Sequence, residues 1–169
     1  PFDPDRDFRS IGLMARGALI LGARPGSAFA TARDLMDRAK AAPGAVSYGS
    51  AGVGSSFHMA MERLAREAGA RLNHTPYRGM APVLNDLMAG TVEVAIIDYP
   101  TGAEALRSGR VKQLAVCSDA RIEGLPDVPT VREALGLRGF EAYAWQGLVA
   151  PAQTPDAVAA RLVEELAAA

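Results

Sequence analysis

The chain has 169 residues, a formal net charge of −1 and 49% hydrophobic residues. Enough aliphatic side chain is present for a folded core, which argues against an intrinsically disordered chain. The balanced charge leaves no basic excess to neutralise phosphates, so the composition argues against nucleic-acid binding. Because no run of about 18 apolar residues occurs, the sequence predicts no membrane-spanning helix.

Apolar runs of strand length alternate with helical patterns along the chain. This alternation is typical of an α/β fold with a mostly parallel sheet. Extended segments are expected at 46–48, 72–75, 91–97, 114–117 and 142–150, after an apolar run at 11–21 that is broken at Arg16 and Gly17.

Local signals mark where several helices begin. Thr31 with Asp34, and Thr130 with Glu133, have the spacing of capping boxes, in which two side chains and two backbone N–H groups pair reciprocally. The last helix is expected to have Thr154 as its N-cap residue and the following proline as its first helical residue. These signals predict helices on both faces of the sheet.

The segment 48–58, YGSAGVGSSFH, places three glycines and three serines between a short strand and a helix. Glycine allows backbone N–H groups to approach a ligand closely. The unsatisfied N–H groups at the start of the helix would point into the same loop. The loop is therefore expected to hold a carboxylate or a phosphate. An ordinary strand–turn–helix connection capped by serine explains the same residues equally well.

The candidate anion-binding groups of this segment are main-chain amides and polar side chains. Ser55 either adds a hydroxyl donor for the ligand or only caps the helix. His58 either hydrogen-bonds back into the loop or is a partly buried structural histidine. The candidates are Ser50, Ala51, Gly52, Gly54, Ser55, Ser56 and His58.

Two further candidates follow other strands. Asp98 comes after the buried run 94–97, at the carboxyl end of a strand, where open α/β sheets place their ligands. It either accepts a hydrogen bond from a ligand amine or hydroxyl, or it caps the helix that begins near Pro100. Tyr77 follows the run 72–75 and is expected on the same rim.

Three kinds of enzyme site do not fit the sequence. The glycines have the spacing G-x-x-G-x-G instead of the dinucleotide fingerprint G-x-G-x-x-G. In the hydrolase pattern G-x-S-x-G with Ser50 as the serine, Tyr48 occupies the position of the first glycine. One cysteine and two distant histidines do not form a metal-binding pattern, and Cys117 is expected to be a buried small hydrophobe. We therefore expect no cofactor, no metal and no catalytic residue.

Five motifs carry a resemblance to a known family. They are YGSAGVGSSFH at 48–58, HTPYRG at 74–79, LMAGTVEV at 87–94, LPDVPT at 125–130 and WQGLVAP at 145–151. In this order they resemble the Bug/TctC family, the extracytoplasmic solute receptors of tripartite tricarboxylate transport systems. The resemblance covers nearly the whole chain.

The resemblance implies a type II periplasmic-binding-protein lobe, with a three-layer αβα architecture and part of a second lobe. Residues 17–140 would form the complete ligand-binding lobe. Residues 1–16 would be the end of the first lobe and the crossover, and 141–169 the return segment. The family also implies a preceding part of the first lobe, so the chain is expected to be a fragment.

The resemblance further implies a function. The protein would capture a small carboxylate in the periplasm, such as a di- or tricarboxylate or an amino acid, through helix N-terminal amides, and deliver it to a membrane permease. A ligand-sensing module that feeds a signalling partner is one alternative. A hydrolase-like fragment that uses Ser50 or His58 is another. The fragment is also expected to fold its return segment back or to form a homodimer.

Overall fold

The computed structural model describes residues 2–168, which form two compact units. One unit spans 17–144, and the other combines the described residues up to 16 with those from 145 onward. Pro1 and Ala169, which belong to the predicted segments 1–16 and 141–169, lie outside the described residues.

The observed elements lie within a few residues of the predicted ones. The helices are α1 (Pro4–Asp7), α2 (Ala32–Ala41), α3 (Ser56–Ala68), α4 (Met80–Ala89), α5 (Tyr99–Arg107), α6 (Val131–Leu135) and α7 (Asp156–Ala168). The strands are β1 (Phe8–Ala23), β2 (Ser47–Ser50), β3 (Asn73–Pro76), β4 (Val94–Asp98), β5 (Lys112–Val116) and β6 (Tyr143–Pro151). Arg16 and Gly17 interrupt the apolar run but do not end the strand, because β1 runs through both residues.

The sheet has the strand order β3-β2-β4-β1-β5, and β6 also pairs with β1. Strand β2 is parallel to β3 and β4, whereas β1 is antiparallel to β4 and β5. The mostly parallel sheet is therefore confirmed, with β1 running against its neighbours. Because β2, β3 and β4 are parallel, their carboxyl ends lie at one edge of the sheet.

Two apolar clusters cover the two faces of the sheet. Side chains of α2, α3 and α6 pack on one face, and side chains of α4 and α5 pack on the other. Along β4, Val94 and Ile96 belong to the first cluster, and Ala95 and Ile97 belong to the second, as the two-residue period of a strand requires. The three-layer αβα architecture is confirmed. Cys117 is fully buried in the first cluster, and burial raises the pKa of its thiol to about 12.

Both predicted capping boxes are present. Thr31 and Thr130 each accept a hydrogen bond from the backbone N–H three residues later, and the side chains of Asp34 and Glu133 accept from the N-cap backbone. These contacts begin α2 and α6 where the sequence predicts. No helix in residues 2–168 is both long and apolar enough to cross a membrane.

The smaller unit has an apolar cluster of its own. The backbone N–H of Ala152 donates to the Asp7 carbonyl at 2.9 Å, and Arg9 forms a 2.8 Å ion pair with Asp156. Helix α7 begins at Asp156, one residue later than predicted, and Pro155 contributes its carbonyl to the first turn. The buried residues of the cluster are Ile11, Ala150 and Ala159, with Leu148 and Leu166 packed against them.

Candidate functional site

The loop between β2 and α3 consists of residues 51–55, which we call the glycine loop. Gly52 and Gly54 have φ angles of +127° and +80°, in a region that residues with a side chain rarely adopt. The position of a Cβ on Gly54 is open, and a Cβ on Gly52 would lie 3.4 Å from the carbonyl oxygen of Tyr77. The backbone of the loop therefore needs glycine at both positions, and space for a ligand remains beside Gly54.

Ser55 is the N-cap residue of α3. Its Oγ accepts a hydrogen bond from the His58 backbone N–H at 3.3 Å and donates to the Gly52 carbonyl at 2.7 Å. The hydroxyl is thus committed to the cap and to the shape of the glycine loop. Ser56 is the first residue of α3 and is exposed. The start of the helix is where the sequence predicts it, with its N-terminal amides next to the loop.

His58 hydrogen-bonds back into the glycine loop, which was one of the two alternatives for this residue. Its Nδ1 accepts the backbone N–H of Gly54 at 3.2 Å. Since an imidazole nitrogen accepts a hydrogen bond only when it carries no proton, the proton of His58 lies on Nε2. The ring is also partly shielded, because it contacts the ring of His74 with 4.3 Å between the centroids.

Ser50 is fully buried at the end of β2. Its hydroxyl oxygen lies 2.7 Å from His74 Nε2 and accepts the Gly52 backbone N–H at 3.3 Å. The same hydroxyl donates to the Gly52 carbonyl at 3.2 Å. The Ser50 side chain therefore ties Gly52 of the glycine loop to the end of β2. Ala51, the first residue of the loop, follows Ser50 directly.

A network beneath the loop was not among the predicted site residues. His74 stacks on Tyr48 with 4.7 Å between the ring centroids, and the Tyr48 hydroxyl donates to Glu62 Oε1 at 2.5 Å. Burial and the neighbouring carboxylate raise the pKa of Tyr48 well above its usual range. Burial lowers the pKa of His74, His58 lowers it further, and Glu62 partly offsets both effects.

One sequence signal for this network was available. Tyr48 and His74 are the second residues of two consecutive short strands, and in the parallel β2–β3 ladder they are register partners. Side chains on register partners lie side by side on the same face of a sheet. The pairing of the two strands in this register places His74 beside Tyr48 and near Ser50.

Tyr77 lies directly after β3, and its backbone borders the glycine loop. Its N–H donates to the Ser50 carbonyl at 2.9 Å. Its hydroxyl points to α4 instead, where it donates to Asp86 Oδ2 at 2.7 Å. Burial and this carboxylate raise the pKa of Tyr77 to about 12. The structure thus brings the Tyr77 main chain to the loop and commits its hydroxyl to Asp86.

Asp98 ends β4 and is the N-cap residue of α5. Its Oδ2 accepts both the backbone N–H and the hydroxyl of Thr101. Because β2 and β4 are parallel neighbours, the end of β4 and the glycine loop lie at the same edge of the sheet. Asp98 therefore caps α5, and it lies at the same edge of the sheet as the glycine loop. Within residues 2–168 no group of three or more His, Cys, Asp and Glu side chains could hold a metal ion.

A comparison with known protein families decides the family of the chain. The family described as "Tripartite tricarboxylate transporter family receptor", or TctC, matches residues 1–169. The chain belongs to the TctC family. The family resemblance drawn from the motifs is thus confirmed. The family description names a receptor, and the similar protein BugD is described as a periplasmic binding protein; neither description names an enzyme.

Two curated relatives of this TctC chain are about twice its length. A UPF0065 protein from the tcbD-tcbE intergenic region of Pseudomonas sp. (strain P51) is 40% identical over 166 residues, which are 98% of this chain and 49% of the relative. Protein BugT of Bordetella pertussis is 32% identical over 91% of this chain and 47% of its own length. The chain therefore spans about half the length of the curated relatives that it matches.

Solved structures of similar proteins have the same fold. R. palustris Rpa4515 with adipate has a TM-score of 0.91 and 31% identity, over 99% of this chain and 56% of that one. The periplasmic binding protein BugD has a TM-score of 0.88 and 33% identity, over 98% and 55%. MatC from Rhodopseudomonas palustris with bound malate has a TM-score of 0.88 and 30% identity, over 98% and 57%.

Proposed function

We propose that this TctC chain is the ligand-binding part of a periplasmic receptor that captures a small carboxylate for a membrane permease. The observation that carries the proposal is the glycine loop, which lies at the carboxyl edge of the parallel sheet and leads into the N-terminus of α3. The adipate and malate bound to two similar proteins support a carboxylate ligand.

The chemistry of the loop suits a carboxylate. Backbone N–H groups and the positive end of the α3 dipole attract an anion. Gly52 and Gly54 keep the loop backbone open to a close approach, because neither carries a side chain. The proposed donors are the amides of Ala51, Gly54 and Ser56. The Gly52 N–H and the Ser55 hydroxyl are already hydrogen-bonded within the loop and hold its shape.

Asp98 is proposed to select the part of the ligand that lies beyond the bound carboxylate. Its Oδ2 is committed to Thr101. The carboxylate nevertheless adds a negative charge at the edge of the anion site, where it favours ligands with a hydroxyl or amine donor. The same charge disfavours a second bare carboxylate close to it.

The remaining partners follow from the proposed role. Residues 17–140 would be one complete lobe of the receptor, and the segments 1–16 and 141–169 would belong to the other lobe. The two compact units, which divide near residues 17 and 144, support this assignment. We propose a periplasmic location and delivery of the ligand to the permease of a tripartite transporter, in keeping with the family.

Calorimetric titration of the complete receptor with adipate and malate tests the proposal. We expect saturable binding of at least one of them and no chemical change in the ligand recovered afterwards. Mass spectrometry of small molecules that remain bound through purification should identify an intact carboxylate. Failure to bind any carboxylate, or conversion of the ligand to a product, would contradict the proposed function.

A further inference from the structure

His58 accepts a hydrogen bond from one of the backbone amides that the proposed function assigns to the ligand. Its Nδ1 accepts the Gly54 N–H at 3.2 Å, at the left-handed turn of the glycine loop. This contact requires a neutral imidazole with its proton on Nε2. A protonated ring has no free acceptor, so it releases the Gly54 N–H and adds a positive charge beside the loop.

The surroundings of His58 limit which group takes up a proton there. His74 on β3 contacts His58 directly. Tyr48 and Ser50 on β2 contact His74, and Glu62, one turn further along α3, accepts the Tyr48 hydroxyl. Two charged imidazoles in contact repel each other, so the His58–His74 pair readily accepts only one proton. Burial lowers the pKa of His74, which disfavours a proton on that ring.

The positions of the His58 and His74 rings also indicate that His58 is the one that takes up the proton. The His74 Nε2 lies against the buried Ser50 hydroxyl, whereas His58 is joined to the loop that borders solvent. Glu62 contributes negative charge nearby, although it already accepts the Tyr48 hydroxyl. His58 is therefore the ring whose protonation changes the glycine loop.

We propose that His58 is a proton-dependent latch on the glycine loop, closed by its hydrogen bond to Gly54 when neutral and opened when protonated. The next step rests on the proposed function. A carboxylate that takes the Gly54 N–H displaces Nδ1 and attracts a positive charge on the ring, so ligand binding takes up a proton at His58. Affinity for the carboxylate then rises as the pH falls.

The latch can be tested without any ligand, by NMR of the complete receptor. The Gly54 amide resonance should shift as His58 titrates, and the ring at high pH should be the tautomer with its proton on Nε2. In the variant His58→Asn, whose side-chain oxygen keeps an acceptor near Nδ1 without a titratable proton, the Gly54 shift should vanish. The latch would be overturned if the Gly54 resonance did not shift as His58 ionises, or if neutral His58 carried its proton on Nδ1.

Calorimetry with adipate and malate tests the link to binding. Between about pH 8 and about pH 6, affinity of the unmodified receptor should rise about three- to tenfold, with proton uptake seen as a dependence of the heat on buffer ionisation. His58→Asn should abolish this rise. His74→Gln, which keeps a polar atom at the position of Nε2 facing Ser50, should retain it.

The outcomes separate the two proposals. Binding that does not change with pH, or a pH dependence that survives His58→Asn, overturns the latch and leaves the proposed function standing. If the pH dependence of affinity disappears only in His74→Gln, the proton is taken up at His74 instead of His58, which also overturns the latch. If neither probe binds at any pH, the proposed function fails, and the NMR titration still decides the latch.

Discussion

The carboxylate of Asp98 accepts two hydrogen bonds from Thr101, one from the backbone N–H at 3.1 Å and one from the hydroxyl at 2.6 Å. Both bonds end on Oδ2. The residue therefore caps α5 at the same sheet edge as the glycine loop. A helix cap and a ligand contact are compatible here, because a carboxylate has two oxygens and about four acceptor positions.

Replacing Asp98 by asparagine should change ligand preference with little loss of stability. Asparagine is as good an N-cap residue as aspartate, so α5 keeps its start. Loss of the negative charge should lower the ratio of malate to succinate affinity, since these two dicarboxylates differ only in the hydroxyl of malate. Parallel titrations of the two ligands measure this ratio.

The variant Thr101→Ala is the control for the cap. It removes the hydroxyl partner of Asp98 and leaves the carboxylate charge in place. The ligand ratio should therefore stay as in the unmodified receptor. Identical ligand profiles for Asp98→Asn and the unmodified receptor would show that Asp98 is only a helix cap.

Replacing Gly54 by valine should weaken carboxylate binding more than about tenfold. The φ of +80° is strained for any side chain, so the loop must change conformation even though the space around Gly54 is open. The loss of two or three charge-assisted hydrogen bonds, at roughly 1.5–3 kcal/mol each, corresponds to more than a tenfold fall in affinity. Calorimetry measures the affinity, and circular dichroism checks that the protein is folded.

Gly109→Val is a matched control for the strain. Gly109 has a φ of +71° and open space around it, but it lies in the turn after α5. Both variants should lose about 1–2 kcal/mol of folding free energy, and only Gly54→Val should lose affinity. Unchanged affinity in Gly54→Val would exclude the glycine loop as the anion site.

The stability of the protein should fall below about pH 6.5 in part through His74. Burial, and then His58, lowers the pKa of His74 in the folded chain, so the unfolded chain binds a proton at a higher pH than the folded one. This contribution is fully present above the unfolded pKa and is lost as the pH falls toward the folded one. Urea unfolding between about pH 8 and about pH 5 measures it, and His74→Gln should flatten the profile. An unchanged slope in that variant would contradict the assignment.

Replacing Tyr48 by phenylalanine should cost about 1 kcal/mol of folding free energy. The ring stays buried, but the 2.5 Å hydrogen bond to Glu62 is lost. Because Glu62 is exposed, its carboxylate regains water and the loss stays moderate. A double-mutant cycle with Glu62→Ala should show most of this energy as coupling between the two residues. Additive effects would show that the bond does not stabilise the fold.

The isolated 169-residue chain is expected to self-associate through α7. Val158 and Val163 on this helix are 50% and 45% exposed, and Leu162 lies beside them. Exposed apolar patches of this kind tend to find a partner surface. Light scattering should therefore detect a dimer, and Val158→Glu combined with Val163→Glu should give a monomer.

Met59→Glu, at a residue that is 58% exposed on α3, is the control and should leave the association unchanged. The isolated chain should also bind carboxylates far more weakly than the complete receptor. A monomeric chain with full-strength ligand binding would contradict both expectations.

Features that depend on neighbours a few residues away could be predicted from the amino-acid sequence. The capping boxes at Thr31 and Thr130, the helix start at Ser55 and the two-residue alternation of β4 all follow from local hydrogen bonds or from the period of a strand. The Bug/TctC motifs also lie in one continuous order, so the family was identified without any tertiary contact.

The direction of β1 and the network beneath the glycine loop depend on contacts between residues far apart in the chain, so the sequence did not predict them. The direction of β1 is visible only in its pairing with β4 and β5, because the apolar pattern of a strand is the same in both directions. Ser50 and His74 are 24 residues apart and meet because β2 and β3 pair in one register. A slip of one residue in that register would turn His74 to the opposite face, away from Ser50 and His58.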